Sequence, residues 1–74
     1  MADLLNIKEH MPVVGSDGVR VGTVDQMDGP DRIKLARADS DDDRHHFIPT
    51  DWVDHINAEV HLNMTTDEVR RLWD

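Results

Sequence analysis

From Met11 to Asn63 the chain is a succession of short apolar segments cut by turn residues, a punctuation that points to short strands. Met11-Pro12-Val13-Val14 runs into Gly15-Ser16-Asp17-Gly18, and Asp-Gly between two Val-rich runs is a strong hairpin signal, because Gly accepts positive φ and Asp tolerates it. Val19, Val21 and Val24 follow in a second strand whose phase changes around Gly22 and Thr23, so a bulge or sharp bend is expected at the Gly. Such a bend lets a small sheet curl.

Asp28-Gly29-Pro30-Asp31 makes the next turn, and Arg32-Ile33-Lys34-Leu35 then alternates polar and apolar in the manner of a half-buried antiparallel strand. His45-His46-Phe47-Ile48-Pro49 reads as a strand covered on both faces, which Pro49 ends or confines to a sheet edge. Thr50 to Asn57, with Trp52, Val53 and Ile56, reads as a tight turn and a connector, and Glu59 to Asn63 as a fifth strand with Val60 and Leu62 inward. Asp3 to His10 is too short for periodicity to separate a helical turn from an extended lead-in.

The period then changes. Thr65 and Glu68 match the S/T-x-x-E capping box, Met64 and Val69 occupy the positions of a hydrophobic staple, and Val69, Leu72 and Trp73 recur at i, i+3 and i+4. Asp67 and Glu68 in the first turn and Arg70 and Arg71 in the last complement the helix dipole. The expected architecture is mainly β, one domain over residues 1–74. A strongly bent antiparallel sheet of about five strands over residues 7–63 is closed by a helix over 65–73.

With 74 residues only one thin core is possible, since a domain this small buries only about 60% of the surface its unfolded chain exposes. Val, Leu, Ile and Phe make up about a quarter of the chain, above the roughly 20% floor associated with disorder. There is no cysteine, so neither a disulfide nor a thiolate metal site supplements the core. No apolar run approaches the ~20 residues that span a bilayer, and no signal-like N-terminus is present, so a soluble cytoplasmic protein is expected. A formal net charge of −8 repels phosphate backbones and anionic lipids, which argues against nucleic-acid and membrane partners.

The series Met11-Pro12-Val13-Val14-Gly15-Ser16-Asp17-Gly18, Val21-Gly22-Thr23-Val24-Asp25, Ile33-Lys34-Leu35, His46-Phe47-Ile48-Pro49 and Trp52-Val53 resembles the PRC-barrel superfamily, and most closely its bacterial DUF2171 branch. The resemblance covers residues 7 to 73, and its motifs are turn and core positions. It implies a bent antiparallel barrel used for protein contact, with no catalytic residue to carry over.

The residues themselves offer little chemistry. Of the five histidines (His10, His45, His46, His55, His61), His45 and His46 are neighbours on a strand and project to opposite faces, so they do not share an ion, and no metal or cofactor is expected. Asp39-Ser40-Asp41-Asp42-Asp43 starts like a calcium loop, but Arg44 stands where Gly is needed and Thr50 where a bidentate Glu is needed. Ser16 and Ser40 lie in loops without a nucleophile elbow, so no enzyme is expected.

The carboxylates Asp39, Asp41, Asp42 and Asp43 can steer a partner with a basic surface, and Trp52 is a candidate anchor, because Trp is enriched at interface hot spots. The expected function is a non-enzymatic adaptor or scaffolding module, homodimeric because so small a core and its sheet edges want covering. The rival is a small cation- or ligand-binding protein using the acidic loop 39–43 and nearby histidines.

Overall fold

In the computed structural model, which describes residues 7–37 and 44–73, the first turn forms where Asp17-Gly18 calls for it. Gly18 adopts φ 78°, its N–H donates to Gly15 O, and Gly15 N–H donates to Val19 O at 2.9 Å. This joins β1 (Pro12–Val14) to β2 (Arg20–Met27). Gly29, also at φ 78°, turns β2 into β3 (Arg32–Leu35), and β4 (Phe47–Pro49) lies antiparallel on β3 with Ile33 opposite Ile48. Pro49 both ends β4 and lies on a sheet edge.

A 3-10 turn (Thr50–Trp52) leads into β5 (Val53–Ile56), β6 (Val60–Leu62) follows, and the chain ends in α1 (Thr66–Leu72). The hydrogen-bonded order is β4-β3-β2-β1-β6-β5.

Three expectations are corrected. The sheet has six strands rather than five, because the stretch read as a connector contains β5. Val53 pairs with Leu62 and Ile56 with Val60, so β5 spends three steps where β6 spends two. This bulge breaks the period of 2 that marks a strand in sequence. The sheet is also mixed: β6 lies parallel to β1, with Val13 beside Val60, a pairing between distant segments that no local pattern announces. Finally, the ladder is open, with β4 and β5 at its ends.

The sheet is nevertheless curled. Six flat strands would separate the edges by about 24 Å, whereas the three residues of the 3-10 turn between β4 and β5 rise only about 2 Å each. The two edges therefore approach one another at the Pro49–Val53 corner. Two bulges in β2 supply the bend. Val13 pairs with Gly22 and Val14 with Arg20, leaving Val21 as an extra residue; Val24 pairs with Leu35 and Gln26 with Lys34, leaving Asp25 as another. The distortion flanks Gly22 rather than falling on it, and a Cβ there would meet Leu35 at an ordinary 3.8 Å.

Val13, Val21, Val24, Ile33, Leu35, Ile48, Val60, Leu62 and Val69 form one core joined by Ile7. Burying each such side chain stabilises by about 1.5–3 kcal/mol. Lys34 with Asp25 (3.7 Å) and Arg32 with Asp28 (3.6 Å) are surface ion pairs that contribute little.

The start of α1 is fastened to the β1–β2 turn. Glu68 N–H donates to Thr65 Oγ1 at 3.3 Å and Thr65 N–H donates to Glu68 Oε1 at 3.2 Å, the capping box that the sequence announces. Thr66 hydroxyl donates to Val19 O at 2.8 Å with Asp17 Oδ1 close by at 3.2 Å, and Ser16 N–H donates to Met64 O at 2.7 Å. The approach is so close that a Cβ on Gly15 would lie 2.6 Å from Thr66 N.

The far end of α1 departs from its expected stripe. Val69 is buried, but Leu72, the last helical residue, is 63% exposed, and the chain turns extended at Trp73 (φ −68°, ψ 159°).

Candidate partner-contact surface

Asp39, Asp41, Asp42 and Asp43 lie outside the described residues; the flanking Arg37 and Arg44 are exposed. Trp52 is described, and the strand–turn–strand sequence around it explains its setting. Pro49 ends β4, Thr50 N–H donates to Asp31 O at 2.9 Å, and Asn63 N–H donates to Trp52 O at 2.8 Å, so the 3-10 turn is pinned to β3 on one side and to the end of β6 on the other. The indole, half-buried, packs against the core and lines a hollow of about 380 Å³ with Arg32, Phe47, Pro49 and Leu72. The Arg32 guanidinium lies over the Phe47 ring, 4.5 Å from its centroid, which covers the outer face of β4. Trp52, reached by composition alone, thus shares its hollow with Leu72, which helical periodicity assigned to the core.

Trp73 is half-buried too, stacked on His46 with centroids 4.0 Å apart and planes 10° from parallel. His45 goes elsewhere, its Nδ1 2.9 Å from Leu35 O, so these adjacent histidines serve different partners, although both precede β4 rather than lying in it as the sequence suggested.

A second hollow, of about 330 Å³, lies between the β1–β2 turn and the β5–β6 hairpin, lined in part by Asp54, His55, His61 and Asn63. His55 and His61 are cross-strand partners and their rings stack with centroids 4.3 Å apart and planes 9° from parallel. Sequence reading missed this pair because the β5 bulge decides which residue faces His61. A His-x5-His spacing across Asn57-Ala58-Glu59 was the available signal.

The Asp17 carboxylate is held below the ordinary carboxylate range. Desolvation works to raise its pKa, but hydrogen bonds from the N–H groups of Val19 and Thr66, the Thr66 hydroxyl and its own N–H outweigh that and lower it. The group acts as a clasp between turn and helix. Among the described residues no three His, Cys, Asp or Glu side chains converge on a common metal position, and no helix is long and apolar enough to cross a membrane.

Fold and surface together define a small, mainly β domain: one curled mixed sheet, a short C-terminal helix fastened to the β1–β2 turn, and a hollow of mixed polar and apolar lining at one sheet edge. The family model described as "Uncharacterized protein conserved in bacteria (DUF2171)" matches residues 7–70, and the chain belongs to that family. No curated protein matches it.

Proposed function

We propose that this chain is a non-enzymatic cytoplasmic adaptor or scaffolding domain, a PRC-barrel-like sheet that works by protein contact and forms a homodimer. The observation that supports this reading is the exposed Leu72 beside Trp52 and Phe47 in the hollow at the β4 edge, apolar side chains left open, with Arg32 at their rim, on a domain with little core to spare. A second copy supplies the same apolar edge, and covering it removes a sheet edge from solvent. Each copy carries −8, so the two repel and the apolar contact must outweigh that; salt is expected to tighten the dimer. A further protein partner with a basic surface is drawn by Asp39, Asp41, Asp42 and Asp43, and that association is expected to weaken with salt.

Light scattering behind size exclusion tests the dimer. Wild type at micromolar concentration is expected at twice 8.5 kDa and the Leu72→Glu variant at 8.5 kDa. A wild type that stays monomeric up to millimolar concentration overturns the dimer.

A further inference from the structure

We propose that His55 and His61 form a two-histidine site for a borderline divalent transition ion such as Zn²⁺, on the outer face of the β5–β6 hairpin. The inference is independent of the protein-contact reading.

The argument rests on how each ring is held. His55 Nδ1 lies 2.8 Å from Asp54 Oδ2, an acceptor without a proton to give, so in the neutral ring the N–H sits on Nδ1 and Nε2 keeps its lone pair. His61 Nε2 lies 3.1 Å from Asn57 Oδ1. That amide is oriented independently, because the same Oδ1 accepts from Glu59 N–H at 2.9 Å. His61 therefore carries its proton on Nε2 and its lone pair on Nδ1. Among the described residues neither His55 Nε2 nor His61 Nδ1 has a partner. An imidazole with one nitrogen bound to a carboxylate or carbonyl and the other bare is the arrangement that fixes tautomer and ring orientation in metal-ligating histidines.

Position adds to this. The two residues face one another across the ladder, and the adjoining hollow has room for an ion with its water ligands. Two Zn–N bonds of 2.0–2.1 Å at a tetrahedral angle need nitrogens about 3.3 Å apart. The rings now stack at 4.3 Å in nearly parallel planes, so His55, the more exposed ring, must turn out of the stack with the exposed Asp54 carboxylate following it, while Asn57 holds His61, for both lone pairs to meet an ion. That motion is about χ2, a soft torsion for His. The side chains are 57% and 26% exposed, which leaves the turn unobstructed by core packing. Imidazole nitrogen selects Zn²⁺, Cu²⁺ or Ni²⁺ over Mg²⁺ and Ca²⁺, which take oxygen.

The test is titration of the full chain with Zn²⁺ alone, followed by backbone amide and imidazole ¹⁵N shifts. Saturation at one ion per chain is expected, with the largest changes at His55 Nε2 and His61 Nδ1. His55→Gln and His61→Gln should each weaken binding at least tenfold, Asp54→Asn about tenfold, and His10→Gln not at all; retained amide dispersion shows that each variant folds. The proposal is overturned if neither imidazole shifts saturably, if Mg²⁺ produces the same shifts, or if Zn²⁺ binding survives either glutamine substitution because it resides at residues 39–43.

Discussion

Two corners of the sheet are finished differently. At the β1–β2 turn, Gly15, Asp17, Val19, Thr65, Thr66 and Glu68 are tied by hydrogen bonds, and nothing apolar larger than Val19 is left out. At the β4–β5 corner the chain turns through a 3-10 segment, Leu72 stands in solvent, and Trp52 and Phe47 line an open hollow. The first corner spends its polar groups on holding the fold together, whereas the second leaves apolar surface for something else to cover. Stability and contact are therefore expected to separate along the molecule, and substitutions can test whether they do.

The largest effect is expected from Gly15→Ala. The new Cβ meets Thr66 N and Oγ1 at 2.6 and 2.8 Å, backbone and a buried hydroxyl that cannot move aside cheaply. Overpacking of this kind costs about 1–3 kcal/mol, a large share of the ~4–11 kcal/mol that a chain this long commands. Chemical denaturation should show it, and an unchanged midpoint would mean that the helix start is not seated on the turn.

Thr65→Ala removes the cap and should cost about 1 kcal/mol in the same measurement. Asp17→Asn is a smaller perturbation at neutral pH, because Asn Oδ1 still accepts, but it changes the acid limb. The native Asp17 pKa lies below its unfolded value near 3.8, so its contribution is present above that value and is lost as pH falls through the native pKa. The wild type should lose stability below about pH 4 more steeply than Asp17→Asn; identical acid limbs would remove the clasp from the account. Smallest is Leu72→Ser, expected to move stability by no more than about 0.5 kcal/mol while abolishing the proposed dimer. If it instead unfolds the domain, the two corners are not distinct.

The sequence was most legible at the first corner because its signals are local. A positive φ at Gly18, a cap at Thr65 and its reciprocal Glu68 each lie within four residues of what they determine. Core alternation in β3 and β6 was equally plain, with Ile33, Leu35, Val60 and Leu62 inward. The second corner was obscure because bulges and distant pairings govern it. Val53 and Ile56, three apart, look like a turn until β6 is laid beside them, and the His55–His61 pair, although it lies nearer the first corner, likewise exists only in that register. Leu72 keeps its helical phase as the last residue of α1, yet its side chain stands in solvent, because nothing in the local pattern says how far the sheet extends beneath that turn. The acidic run, which carried the partner expectation, lies outside the described residues.

The parallel pairing of β1 with β6 has a consequence for how quickly the domain can form. Val13 and Val60 meet only after the 47-residue stretch from one to the other has been drawn into a loop, and Asp17 meets Thr66 across a comparable interval. Loop closure on that scale costs about 3 kcal/mol in chain entropy before any contact repays it. The β3–β4 pair, by contrast, is nearer in sequence. Folding is therefore expected to be slow for a chain of 74 residues, with the clasping of the last strand and helix onto the first hairpin as the late, limiting event. In stopped-flow measurements, Val60→Ala should chiefly slow refolding, because the clasp forms in the limiting step, and so should Ile48→Ala, whose β3–β4 contacts form before it. A Val60→Ala variant that chiefly speeds unfolding would place the clasp after the transition state.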